Sequence, residues 1–195
     1  MNIFKNAKFI KSCNSNETLP ENRLQEVVFV GKSNVGKSSI LNALTNQKQL
    51  AFTSSKPGHT RLLNYFLIEN RFYFVDCPGY GFSSKKGEDY NFYGNMLENY
   101  FNNNEYLSLI IFLLDSRRIP NDDDVTLYKF IKSTKYKFVI VATKCDKLNQ
   151  SERSKVVNNF KTKFLGINEK SIIFTSIRDE RSIGKLKDYI EENLK

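Results

Sequence analysis

Apolar residues in this chain fall into short dense runs, separated by longer stretches where they recur every three or four positions. Val27-Val28-Phe29-Val30 is the first dense run, too short for a helix and closed by Gly31, and it predicts a buried strand. Leu62 to Ile68 and Arg71 to Val75 follow, separated by Glu69-Asn70, which predicts a hairpin of antiparallel neighbours. Leu107 to Leu114 is almost continuously apolar, as expected of a strand covered on both faces. Phe138 to Ala142 and Ser171 to Phe174 complete the set, and the patch Ala7 to Ile10 predicts either an edge strand or a segment packed on the domain.

Helical spacing fills the gaps. It appears in Ser39 to Leu44, in Tyr93, Met96, Leu97, Tyr100 and Phe101, in Asp122 to Thr134, in Ser151 to Phe164, and in Ile183, Leu186, Ile190 and Leu194. Ser151 is the expected cap of the fourth helix, although Ser151-x-x-Ser does not complete a capping box. Asn14 to Glu26 reads as a loop with a turn at Pro20, and Pro57-Gly58 breaks any helix in Gln47 to Arg61. Tyr80 to Asp89 is glycine-rich and charged, and is expected to be mobile. Strands alternating with helices predict a three-layer α/β fold, a mixed and mainly parallel sheet of about six or seven strands with helices on both faces. The expected organisation is an N-terminal extension, 1–25, packing on a single domain, 26–195.

The chemistry concentrates where strands end. Gly31-Lys32-Ser33-Asn34-Val35-Gly36-Lys37-Ser38 fits G-x-x-x-x-G-K-S between a strand and a helix. Its glycines let successive N–H groups turn inward on a polyphosphate, Lys37 reaches the β- and γ-phosphates, and the Ser38 hydroxyl can ligand Mg²⁺. Asp76-Cys77-Pro78-Gly79 ends another strand, where an acid can hold Mg²⁺ through water and the Gly79 N–H can sense a γ-phosphate. Thr60 lies in a segment where a hydroxyl can complete Mg²⁺ coordination, with Thr53 as its competitor. Thr143-Lys144-Cys145-Asp146 presents a carboxylate that can accept from both N1–H and the exocyclic amine of guanine, a donor pair adenine lacks. The Lys144 stem can lie along the base plane, Phe174, Thr175 and Ser176 are expected at the nucleotide, and Thr175-Ser176 can offer a backbone N–H to guanine O6.

Composition adds a partner and removes other classes. The 195 residues carry 30 Lys+Arg against 21 Asp+Glu, a net charge of +9, which suggests RNA or a ribonucleoprotein surface beyond the nucleotide, or else only solubilises the chain. Cys13, Cys77 and Cys145 form no C-x-x-C pair, which argues against zinc or a disulfide framework and fits a reducing cytosol. No run approaches a membrane span, no cleavage-type site follows the N-terminus, and no obvious dimerisation segment exists, so a cytoplasmic monomer is expected.

Taken together, Gly31 to Ser38, Pro57-Gly58-His59-Thr60-Arg61, Asp76 to Phe82, Asp115-Ser116-Arg117-Arg118-Ile119-Pro120 with Asp124, and the opening Phe9-Ile10-Lys11-Ser12 resemble the EngB (YihA/YsxC) family of bacterial GTPases. That family belongs to the TRAFAC class, in the TrmE-Era-EngA-EngB-septin-like superfamily. The resemblance implies a P-loop NTPase G domain that binds GTP and GDP with weak intrinsic turnover, acting as a switch in assembly of the large ribosomal subunit, and it carries a link to septation in cell division. It favours Thr60 as a metal ligand beside Ser38, and draws Gly58, His59, Arg61 and Leu62 into the nucleotide site. Related extra-domain GTPases of the Era or tRNA-modification type are disfavoured because no room remains after Leu194. A septum-associated interaction protein is the competing class.

Two positions bear on catalysis. Many GTPases place a Gln after D-x-x-G to orient the attacking water; here that position is Tyr80, so slow hydrolysis without a partner is expected. Asn34, with Lys37, Thr60 and Gly79, is a catalytic candidate, because in related GTPases an asparagine there helps hold an activating K⁺; a loop-stabilising role is the alternative. Lys85-Lys86 and Arg117-Arg118 are candidates for an RNA-facing surface.

Overall fold

The computed structural model describes residues 4–13, 19–51, 62–81, 88–102 and 104–194. The chain runs β1 (Ala7–Cys13), β2 (Gln25–Gly31), α1 (Lys37–Thr45), β3 (Leu63–Ile68), β4 (Phe72–Asp76), α2 (Glu88–Phe101), β5 (Leu107–Asp115), α3 (Asp122–Ser133), β6 (Phe138–Thr143), α4 (Gln150–Lys163), β7 (Ile172–Thr175) and α5 (Glu180–Glu192). All seven strands join one sheet in the order β1-β3-β4-β2-β5-β6-β7. Strands β4, β2, β5, β6 and β7 are mutually parallel. Strand β3 runs antiparallel to β4, as the Glu69-Asn70 gap predicts, and β1 runs antiparallel to β3 at the sheet edge. The Ala7 to Ile10 patch is therefore an edge strand, extended to Cys13.

The central strands are covered on both faces, which is why their sequences are continuously apolar. Along β2, Val28 and Val30 enter the core beneath α2, α3 and α4, whose Leu97, Tyr128, Ile131 and Phe160 pack there. Val27 and Phe29 point the other way, toward Ile40, Leu41 and Leu44 of α1 and Leu186 and Ile190 of α5. Burial of each such side chain contributes about 1.5–3 kcal/mol. Two apolar layers on opposite faces thus hold the strand ends at fixed spacing.

Three local expectations need correction. Gln25 and Glu26, expected in a loop, open β2. Glu26 is 1% exposed, and its carboxylate accepts from Tyr100 Oη (2.7 Å), Asn104 Nδ2 (3.0 Å) and Arg23 Nη2 (3.4 Å). Those donors lie up to 78 residues away, so no local pattern reveals that an acid belongs in this strand. Ser151 does not cap α4; Asn149 does, accepting from Glu152 N (2.9 Å) while Glu152 Oε2 accepts from Asn149 N (2.7 Å). The capping box exists two residues upstream of the expected cap. Finally, Tyr80 is not the start of a mobile loop: it is 6% exposed and packs in the core, and Glu88 and Asp89 already belong to α2. Residues 82–87 lie outside the described residues.

The hairpin turn shows how the edge is secured. Glu69 and Asn70 both have positive φ, 50° and 55°, as a two-residue turn between twisted strands requires. Asn tolerates this conformation and Glu does so poorly. Glu69 is held by its neighbours: its carboxylate accepts from Asn6 N (2.9 Å) and Nδ2 (3.1 Å), and its N–H donates to Asn6 O (2.8 Å).

Candidate nucleotide site

The P-loop leaves β2 at Gly31 and enters α1 at Lys37. Gly36 stands at the helix N-cap with φ 108°, a conformation that a side chain would strain, and it offers no side-chain cap. No acidic residue occupies the first turn either, so the initial N–H groups and the positive end of the helix dipole are left for an anion. Asn34 has φ 61°, a left-handed position that asparagine tolerates better than most residues.

The loop after β4 is laid directly on the P-loop. Tyr80 bridges Lys32 in parallel register, and Ser33 N donates to Tyr80 O (2.9 Å). Gly79 comes so close that a Cβ there would meet the Ser33 backbone at 2.7–2.8 Å and Lys37 Nζ at 3.2 Å. Only glycine permits that approach. The side chain of Tyr80 turns away into the core, where its hydroxyl donates to the buried carboxylate of Asp124 and its ring tilts against Tyr93 at 5.7 Å. Asp124 is itself tied down, accepting from Asn121 N (2.8 Å) in the capping box of α3. The side chain in the water-orienting position thus points away from the phosphate loop.

Asp76 ends β4, buried, and its Oδ1 has no hydrogen-bond partner. Burial pushes its carboxyl up to about 6, partly offset by Lys37. A buried carboxylate with one unpaired oxygen beside the P-loop lysine is poised for a cation or a bound water, so the donor set of Ser38 and Asp76 fits a hard divalent ion. Cys77 follows, its N–H donating to Phe29 O (3.1 Å) and its thiol pushed up by burial, first of all, and by Asp76. Cys13, Cys77 and Cys145 are all buried, and no disulfide joins them. Pro78 is buried too. Gly58, His59, Thr60 and Arg61 lie outside the described residues, as do Thr53, Lys85 and Lys86; Leu62 just precedes β3 and is partly exposed.

The Thr143–Asp146 loop, the expected base reader, is wired to the P-loop. Thr143 Oγ1 donates to Val35 O (2.9 Å) and to Leu114 O (3.2 Å). Lys144, with φ 61°, sends Nζ to Asn34 O (3.1 Å) and to Asp115 Oδ2 (3.0 Å). Cys145 begins a short 3-10 turn that turns Asp146 outward. Asp146 Oδ1 accepts from Ser176 Oγ (2.7 Å), which holds its carboxyl below the usual range, with smaller help from Lys147 and Arg178. Phe174 does not join this group: its ring lies 5.9 Å from the Arg153 guanidinium of α4 and packs on the core. The Ser176 N–H is also engaged, donating to Ser182 Oγ (3.0 Å). The amide expected from Thr175-Ser176 is therefore not Ser176's, and the next one along belongs to Ile177, which is 56% exposed.

Sequence reasoning passed over Asp115, Asp124 and Ile177 as site residues. Asp115 had a visible signal: it is an acid at the carboxyl end of a buried parallel strand, where such sheets bind ligands. Asp124 stands in the family resemblance beside Asp115 to Pro120, but its bond to Tyr80, 44 residues away, leaves no local trace.

Comparison with known proteins agrees with this geometry. A family model described as 50S ribosome-binding GTPase matches residues 26–144. A probable GTP-binding protein EngB of Clostridium perfringens is 39% identical over 191 residues, covering 97% of this chain and 96% of the relative. Its counterpart in Clostridium kluyveri is 47% identical over 148 residues, 76% of this chain and 75% of the relative. The crystal structure of a probable GTP-binding protein EngB shares the fold, with a TM-score of 0.71 at 24% identity over 87% of this chain and 98% of that one. With a P-loop, a D-x-x-G loop and the Thr143–Asp146 loop meeting at the carboxyl ends of the parallel strands, and with relatives matching nearly end to end, the chain belongs to the EngB family of GTP-binding proteins.

Proposed function

We propose that this protein binds GTP, hydrolyses it slowly when alone, and uses the cycle as a switch that engages the large ribosomal subunit during its assembly in the cytoplasm. The observation that carries the nucleotide reading is the bond from Lys144 Nζ to Asn34 O, which joins the base reader to the phosphate loop. Guanine is selected by the Asp146 carboxylate, oriented by Ser176, with the Ile177 N–H as the donor left for O6. Lys37 and the α1 N-terminus take the phosphates. Ser38 and Asp76 would hold Mg²⁺, with Thr60 as the third expected contributor; when bound, the ion neutralises charge on the phosphates. Gly79, already against Ser33, is placed to report whether a γ-phosphate is present.

Slow turnover follows from Tyr80. With its hydroxyl committed to Asp124, it cannot orient an attacking water, so a partner must supply that function. Asparagine at 34 is accounted for by its positive φ alone, and the geometry adds nothing that calls for K⁺ there. Support for the ribosomal partner comes from the family description, from the net charge of +9, and from a cleft of about 450 Å³ beside the P-loop lined in part by Lys32, Arg117 and Arg118. No helix among the described residues is long and apolar enough to cross a membrane.

Cosedimentation with large ribosomal subunits tests the switch. Salt-sensitive binding in a GTP analogue that disappears in GDP is expected. Absence of binding in both states overturns the ribosomal reading and leaves the septation role as the one to pursue.

A further inference from the structure

Asp115 lies outside both the P-loop and the Thr143–Asp146 loop, yet it sits where these two meet. Its carboxylate is 9% exposed at the end of β5 and accepts four hydrogen bonds. Arg117 supplies three of them, Nε (2.9 Å) and backbone N (3.1 Å) to Oδ1 and Nη2 (2.7 Å) to Oδ2. The fourth comes from Lys144 Nζ (3.0 Å), and the same ammonium reaches Asn34 O (3.1 Å). The chain Arg117–Asp115–Lys144–Asn34 therefore runs from a solvent-facing guanidinium to the backbone of the phosphate loop.

From this we infer that Asp115 is a positioning residue for guanine recognition, fixing Lys144 across the mouth of the site so that the base reader and the P-loop keep a set spacing. The chemistry favours Asp over other residues. A lysine side chain has four rotatable bonds, and a single carbonyl acceptor does not hold its ammonium in one place. A half-buried carboxylate adds a charge-assisted bond from a second direction. Arg117 then locks the carboxylate itself, because its planar fork engages both oxygens at once. Lys144 is left with one orientation of its stem, the orientation against which a base plane can rest. The net charge of the trio is +1, so the phosphates keep an attractive field while the ammonium is held back from them.

The inference rests on Thr143 to Asp146 being the guanine reader, and the test separates the two. GDP and ADP are titrated calorimetrically against the full chain and the variants Asp115→Asn, Lys144→Met and their combination. The wild type should prefer GDP strongly; equal affinity for ADP removes the base-reading assignment itself. Given that preference, Asp115→Asn should weaken GDP about tenfold, and should have almost no further effect when Lys144 is already Met. An equal loss in both backgrounds means that Asp115 supports the fold generally, and no loss in either means that it does not act at all; each overturns the inference. If Asp115→Asn melts at a much lower temperature than wild type, Arg117→Gln replaces it, since Arg117 is 47% exposed. That variant should weaken GDP about threefold with Lys144 present and leave affinity unchanged without it.

Discussion

The phosphate end and the base end of this site are built on opposite principles. At the base end every carboxylate is already satisfied: Asp146 by Ser176, Asp115 by Arg117 and Lys144. At the phosphate end a buried carboxylate, Asp76, has an oxygen with no partner, and a helix start has no cap. The carboxylates of the base end are paired before any ligand arrives, although Ser116 Oγ and Thr175 Oγ1 stay buried without a partner there, whereas the Asp76 carboxylate of the phosphate end is left one partner short. The proposed switch, recognising guanine in every state of its cycle while responding to one phosphate more or less, would need this division. Recognition wants rigidity, and sensing wants an element held weakly enough to move.

The largest consequence is in stability without ligand. Burial raises the Asp76 carboxyl from 3.8 to about 6, so the folded chain holds that proton more tightly than the unfolded chain does. Its stabilising contribution is present below pH 4 and is lost as pH rises through about 6. The difference corresponds to about 3 kcal/mol. Stability curves of nucleotide-free wild type and Asp76→Asn in EDTA, between pH 4 and 7.5, should diverge by that amount, with the wild type falling as pH rises. Parallel curves would mean that the phosphate end is as self-sufficient as the base end.

The base end should respond in the contrary sense. Asp146→Ala removes an exposed, satisfied side chain, so the thermal midpoint should not move. The preference for guanine over adenine should drop by about a hundredfold, measured by competition binding. A loss of stability with specificity intact would reverse the assignment of the two ends.

Gly79→Ala probes the contact proposed to sense the γ-phosphate. The added methyl would meet the Ser33 backbone at 2.7–2.8 Å, so the loop must lift from the P-loop. Affinity for a GTP analogue should fall about tenfold while GDP affinity stays the same. Equal losses for both nucleotides would show that the contact supports the P-loop as a whole and does not distinguish the γ-phosphate.

The two ends also differ in how much of them the sequence reveals. Strand ends, P-loop and base reader are contiguous stretches whose chemistry is local, so Gly31 to Ser38 and Thr143 to Asp146 stand out from residue types and spacing. The sheet follows from apolar runs because burial on both faces leaves no alternation to misread. What escapes is whatever depends on a distant partner. Glu26 looks like a loop residue until Tyr100 and Asn104 close over it. Ser176 looks like a donor to the base until Ser182 takes its N–H. Asn149 is legible in principle, since Asn-x-x-Glu, two residues before Ser151, is itself a capping signal.

Tyr80 is where the two kinds of information meet. Its place after D-x-x-G identifies the water-orienting position, but only the fold shows that its hydroxyl is spent on Asp124. Tyr80→Phe keeps the ring against Tyr93 and deletes the donor, leaving a buried carboxylate one hydrogen bond short. A loss of about 1 kcal/mol is expected by denaturant unfolding. Basal hydrolysis should stay at the wild-type rate, because the deleted group faces away from the phosphates. Tyr80→Gln should raise it little, since a carboxamide placed there inherits a backbone whose carbonyl is tied to Ser33 N and a side-chain direction aimed at α3. A large acceleration in Tyr80→Gln would mean that the loop leaves the P-loop readily once Asp124 is released, and the phosphate end would then be held closed by that single hydroxyl and by little else.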